Sequence, residues 1–313
     1  MKTIAQFVSD GISTLPDLQA ALQTAMQLEF ATIPPYLCAQ WSVDSNNDPS
    51  GVSGLIEDIV VQEMFHFALA GNMLSAINGT VSIANASFVP VYPTNVLPGG
   101  IPQTLPVDLK PLSQQQLEVF MQIELPEFPP IALALDGKPP ATIGAFYDTI
   151  AVGFTKVNPT INPNANFVNM QEAVKITSIA DAQAAIERIK SEGEGTSVSP
   201  DQPSVDGTEL AHYYTFKEIL KGKQLVQTNG TWGFTGPAIQ FPTVTNFTKS
   251  TITPSPSLAF SKTFSQLLTS LQSCWTSGAS VGIGAMFTLK GQGQGLIGQG
   301  IQPEFVWIAP SGS

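Results

Sequence analysis

The chain has only two histidines, and each stands three residues after a glutamate within an apolar helical pattern. His66 follows Glu63 in QEMFHFALAGNML, and His212 follows Glu209 in ELAHYYTFKEIL. A spacing of three places both side chains of a pair on one helix face. Around the first pair, Ile56, Ile59, Glu63, His66, Ala70 and Met73 alternate steps of three and four. The face carrying the carboxylate and the imidazole is therefore the face that packs inward. Val205, Glu209, His212, Phe216 and Ile219 repeat the pattern. A buried carboxylate or imidazole needs a hydrogen-bonded partner or a metal ion. One such pair reads as a satisfied core histidine. Two, in a chain with 24 acidic residues among 313, point to metal ligation.

Two further helical stripes each carry one acidic residue. Thr14 caps a first helix with Pro16 and Asp17 in its opening turn, where a missing N–H and a negative charge are tolerated. Its stripe, Leu15, Leu18, Leu22, Ala25, Glu29, Ile33, turns Glu29 inward. Pro34 and Pro35 then remove two backbone donors, free the carbonyls of Phe30 and Ala31, and predict a kink or a restart. SNNDPSG links to a second helix at about 52–77. Residues 79–112 are rich in Pro and Gly yet too apolar for disorder, which predicts a long ordered excursion. Ser113 and Gln116 predict a capping box for a third helix, whose stripe Leu117, Phe120, Glu124 runs until Pro126 stops it. Glu127 follows that break and faces solvent or a pocket rim.

A fourth helix spans about 142–156 with Ile143, Tyr147, Ile150 and Phe154 inward, which leaves Asp148 about 100° off that face. SIADAQAAIERIK is amphipathic, capped at Ser178 and stopped by Gly193, and GEGTSVSPDQPSVDG then delivers the chain to Glu209 as a loop. A hairpin turns at Asn229-Gly230, and two helical patterns near 257–276 and 280–298 close the chain.

Composition narrows the function. The net charge is −11, only 12 % of residues are charged, and Arg188 is the only arginine, so nucleic acid and anionic membrane surfaces are excluded as partners. Cys38 and Cys274 are too few for a disulfide framework. The opening segment lacks the apolar run of a signal peptide, and no stretch approaches the roughly 20 apolar residues of a membrane span, so the expected location is cytoplasmic. GQGLIG at 293–298 matches a dinucleotide fingerprint in form only, because no strand precedes it and no acidic residue follows at the required distance. No phosphate-binding loop or nucleophile elbow occurs, and no histidine is left over for a hydrolytic triad.

Glu29, Glu63 with His66, Glu124, and Glu209 with His212 alternate single glutamates with Glu-x-x-His pairs, which resembles the dinuclear site of ferritin-like bundles. Four carboxylates balance two divalent ions, and a set of carboxylates and imidazoles suits iron, with manganese next. The segments LEFATIPPYLCAQWS, VQEMFHFALAGNMLSAING, LPGGIP, FMQIELPE, TIGAFYDTI, GEGT and ELAHYYTFKEI also resemble the ferritin-like domain of the VioB and RebD group, the iminophenyl-pyruvate dimer synthases. The resemblance covers about residues 15–220 and continues more weakly through QPEFVWIAP. Those synthases are longer, multidomain chains. Leu125 stands where that group often has a basic residue, which weakens the case for a carboxylate-bearing substrate, and Ala145 stands where it often has an acidic one, so a family ligand at that position is either lost here or replaced by Glu124 alone.

The expected fold is mainly α: a ferritin-like helical bundle with long loops, a small β-hairpin and extra C-terminal helices. It is expected as one domain over 1–313, with the bundle core at about 14–220 and the hairpin and helical extension at about 221–313. The expected function is that of a dinuclear iron oxidase or oxygenase of secondary metabolism. It would act with dioxygen on a small apolar or aromatic metabolite, with oxidative coupling of imines as the activity the resemblance implies. Tyr36, Trp41, Phe120, Tyr147, Tyr213 and Tyr214 are candidate pocket residues, each with core packing as the alternative. The competing functional reading is a ferritin-like protein that binds metal without turnover, for storage or as a structural staple. Oligomerisation is compatible with either.

Overall fold

The longest helix, α2 (Leu15–Ser42), runs unbroken through Pro34 and Pro35, where the sequence predicts a kink or a restart. Thr14 caps it through the Asp17 amide, as its sequence implies. One of the two carbonyls freed by the prolines finds a replacement donor, since the Tyr92 hydroxyl donates to the Ala31 carbonyl at 2.6 Å. Tyr92 comes from the excursion after the second helix and is buried. A distant side chain thus supplies the hydrogen bond that the local sequence withholds. The computed structural model describes residues 2–100, 103–125, 142–171, 173–193, 210–280 and 284–309.

A short helix, α1 (Ile4–Asp10), precedes α2 and begins with a Thr3–Gln6 capping box. The second long helix, α3 (Val52–Ala76), lies antiparallel to α2. Gln40 meets Ser53 near the connecting loop, and Gln19 reaches the Ile77 carbonyl at the far end. The excursion that follows is ordered and holds a two-stranded ribbon, β1 (Thr94–Val96) with β2 (Gln103–Val107). Next come α4 (Gln114–Ile123), α5 (Ile143–Val157) and α6 (Ile179–Gly193). Ser113 caps α4 through the Gln116 amide, but the Gln116 side chain donates to the Asp108 carbonyl, so the reciprocal half of the expected capping box is not made. Pro126, Glu127, Val205 and Glu209 lie outside the described residues.

Helix α7 (His212–Lys221) opens at His212 itself, with Ala211 as its cap. Leu210 and Ala211 just before it are not helical, so His212 occupies a first turn rather than mid-helix. The expected hairpin is present as β3 (Val226–Thr228) and β4 (Thr231–Gly233), with Asn229 and Gly230 both at positive φ as a type I′ turn needs. Two C-terminal helices, α8 (Leu258–Ser277) and α9 (Gly284–Gly298), share a continuous hydrophobic core with the bundle. GQGLIG lies within α9, which removes the nucleotide reading. Gly293 is there for closeness, since a Cβ would sit 2.2 Å from the Trp41 ring. Asn72 in α3 accepts from Trp275 of α8 and from the Val168 amide, and donates to the carbonyls of Val168 and Val174, so this buried amide is fully used.

Among the described residues no helix is long and apolar enough to cross a membrane. Cys38 and Cys274 are both buried and unbridged.

Candidate metal centre

Five polar side chains converge between the helices: Glu29 from the middle of α2, Glu63 and His66 from the middle of α3, Glu124 from the C-cap of α4, and His212 from the first residue of α7. Each is at most 5 % exposed. Their ligating atoms form two groups, Glu29 with Glu63 and His66, and Glu63 with Glu124 and His212, and within each group every atom lies within 4.8 Å of the others. Glu63 belongs to both. Glu209 lies outside the described residues, so the fourth expected carboxylate has no position to report.

The hydrogen bonds around the imidazoles decide which nitrogen faces the centre. His66 Nε2 lies 2.9 Å from Glu192 Oε2, and His212 Nε2 lies 2.8 Å from Gln62 Oε1. Both partners are acceptors, so both Nε2 atoms carry the proton in the neutral ring. Nδ1 then presents its lone pair to the carboxylates, with His66 Nδ1 3.6 Å from Glu29 Oε2 and His212 Nδ1 2.9 Å from Glu63 Oε1. Among the described residues His212 Nδ1 is buried with no well-aligned hydrogen bond, although Glu63 Oε1 lies 2.9 Å away. A buried imidazole nitrogen aimed at carboxylates is one that could ligate a metal ion in place of a proton. Ligating histidines that donate their other ring N–H to a second partner follow the same logic.

Electrostatics point the same way. Burial, with Glu124 nearby, pushes Glu63 up to about 7, against the opposing pull of His212. Burial opposes charging His66, but its contacts with Glu192 and Glu29 outweigh that and raise it to about 10. Burial likewise opposes charging His212, which the carboxylates of Glu124 and Glu63 raise to about 9. Buried carboxylates that raise both imidazoles are a place where a divalent ion could offset the same charge. A donor set of carboxylates and imidazoles suits divalent ions of the first transition row.

A cavity of about 20 Å³ adjoins the cluster, lined by Glu29, Glu63, His66 and Glu124 together with Thr32, Tyr147, Ile143, Gly144, Lys190 and other apolar residues. That is room for about one water molecule. Of the aromatic candidates, Tyr147 lines the cavity and donates its hydroxyl to Glu29 Oε1. Tyr36 donates to Glu124 Oε1 at 2.5 Å. Phe120 packs edge-on against the Tyr36 ring at 4.5 Å. Tyr213 is turned elsewhere, its hydroxyl accepting from Lys217 and its ring packed on Tyr214. Trp41 packs against Phe260 and Phe305, where the C-terminal helix joins the core. Asp148 pairs with Lys190 and is half-exposed, in keeping with its place off the inward face.

Glu192 was missed. It is 5 % exposed, and its second oxygen accepts from Arg188 Nε at 2.7 Å. Burial works against its charge, but His66 and Arg188 hold its carboxyl below the usual range. The signal was present in the sequence, because Ala185, Ile189 and Glu192 step by four and three along the apolar face of α6.

Comparison with known proteins bears on the fold and the family. The chain is 22 % identical over 290 residues to dichlorochromopyrrolate synthase of Lentzea aerocolonigenes, an alignment covering 74 % of this chain and 28 % of the synthase. The chain therefore spans little more than a quarter of that enzyme, in agreement with the resemblance drawn from the sequence to one domain of longer synthases. A crystal structure of a ferritin-like protein from Caulobacter vibrioides superposes with a TM-score of 0.68 at 23 % identity, covering 94 % of this chain and 99 % of that one, which shows a shared fold. The ferritin-like family model matches residues 22–221, the stretch that supplies all five converging side chains, and the chain belongs to the ferritin-like family.

Proposed function

We propose that the protein is a non-haem dinuclear metal oxidase or oxygenase that acts with dioxygen on a small apolar or aromatic metabolite, in the manner of the imine-coupling synthases it resembles. The observation that supports this most is the sharing of Glu63 between two groups of potential ligands. Glu29, Glu63 and His66 would hold one ion, and Glu63, Glu124 and His212 the other, with Glu209 as the fourth carboxylate. Iron, when bound there, would supply the redox chemistry with dioxygen.

The chain's own residues prepare the place. Glu192 and Gln62 hold the Nε2 protons of His66 and His212 and so fix both imidazoles with Nδ1 inward. Leu28, Ile143 and Ile189 line the cavity with apolar surface beside the carboxylates. Lys190, at the cavity wall, is held by Asp148.

A second reading, metal binding without turnover, draws support from the small cavity, which accommodates a water-sized ligand rather than an aromatic ring. Anaerobic loading with Fe(II), followed by air, separates the two. The oxidase reading expects about two iron per chain and oxygen uptake accelerated by members of a panel of aromatic amines and imines. Uptake indifferent to every compound supports binding alone, and no retained iron overturns both readings.

A further inference from the structure

Each outer carboxylate of the cluster is divided between a phenol and a histidine. Glu124 accepts the Tyr36 hydroxyl on Oε1 at 2.5 Å and presents Oε2 to His212 Nδ1 at 3.5 Å. Glu29 accepts the Tyr147 hydroxyl on Oε1 and presents Oε2 to His66 Nδ1 at 3.6 Å. Both tyrosines are completely buried, 0 % exposed. Tyr36 stands seven residues after Glu29, two turns along the same face of α2. Phe120 and Phe216 pack edge-on against its ring, with centroids 4.5 and 5.2 Å away, and hold it in place.

The shared glutamate is treated differently. Glu63 Oε2 accepts from Thr32 Oγ1 at 2.7 Å, but the same hydroxyl lies 2.7 Å from the Glu29 carbonyl one turn back. A threonine on a helix can return its proton to its own backbone, so Thr32 can release Glu63 without leaving a donor unpaired. A carboxylate oxygen that accepts a hydrogen bond from a phenol has committed part of its lone-pair density, whereas its other oxygen retains it for a metal ion.

Resting on the dinuclear reading above, we propose that Tyr36 and Tyr147 are positioning residues that confine Glu124 and Glu29 to metal ligation through Oε2 alone, while Glu63 remains free to use both oxygens. One-oxygen ligation by the outer pair keeps the coordination number low and leaves positions at each ion for an exogenous ligand.

Cobalt(II) titration of the wild type, Tyr36→Phe and Tyr147→Phe tests this, because the visible bands of cobalt weaken as its coordination number rises. Loss of either hydroxyl frees Oε1 to bind, so each loaded variant is expected to show weaker bands than the wild type at equal cobalt content. A merely structural role would lower the melting temperature of the metal-free variants and leave the loaded spectra unchanged, which overturns the inference while the metal reading stands. A wild type that takes up no cobalt overturns the metal reading itself. Should Tyr36→Phe fail to fold, Tyr147→Phe makes the same test at Glu29.

Discussion

Glu192 stands behind His66: its Oε2 lies 2.9 Å from His66 Nε2 while its Oε1 accepts from Arg188 Nε. The counterpart behind His212 is the neutral amide of Gln62. A carboxylate on the far nitrogen raises the basicity of an imidazole and fixes its ring. Glu192→Gln keeps the shape and removes the charge. It is expected to weaken metal binding about 10- to 100-fold, read by competition with a chelator of known affinity. An unchanged affinity would show that Glu192 serves packing alone.

The two groups share one residue, so stoichiometry separates their members. Glu63→Ala removes a ligand from both groups and is expected to leave close to no metal, whereas Glu29→Ala is expected to retain about one ion per chain on the ligand count of a dinuclear bundle site. Elemental analysis of the two variants beside the wild type reads this directly. Equal losses in both would mean that Glu63 is not shared.

Metal and protons compete for the same atoms, with a definite sign. In the metal-free protein His66 is raised to about 10 and His212 to about 9, above the roughly 6.5 of an unfolded histidine. Their contribution to stability is fully present below that value and is lost as pH rises through 9 and 10. Glu63, raised to about 7, contributes in the same direction. Metal binding must displace these protons and therefore strengthens with pH. The rise in melting temperature on adding Mn(II) is expected to be larger at pH 9 than at pH 6. The reverse order would argue against ligation by these side chains.

Tyr92→Phe removes the donor that satisfies the Ala31 carbonyl beside the proline pair. A buried acceptor left unsatisfied costs about 1–3 kcal/mol. Urea denaturation of the metal-free protein measures that loss. A change within error would mean that the carbonyl reaches water or another donor.

The sequence carried much of the centre, and the reason is periodicity. Glu29, Glu63, His66 and Glu124 each continue a stripe of apolar residues, and a helix that buries such a stripe buries every member of it. Glu192 continues a stripe on α6 as well, but without a histidine beside it the pattern read as an amphipathic helix and nothing more. His212 is buried, as its stripe implies, but its helix begins at His212 itself rather than upstream. Helix ends depend on caps and on what the flanking chain does, so they are read less securely than faces.

The sequence by itself determined which side chains turn inward, because 3.6-residue periodicity is a local property written in adjacent turns. Only the tertiary structure decided which of them meet. His66 finds Glu192 across 126 positions of chain, and the Ala31 carbonyl finds Tyr92 across 61. Tyr36 and Tyr147, which core packing alone would explain, prove to hold the two outer carboxylates. Such pairings depend on how helices cross and where a long excursion docks, and those arrangements minimise unsatisfied buried polar groups over the whole core at once.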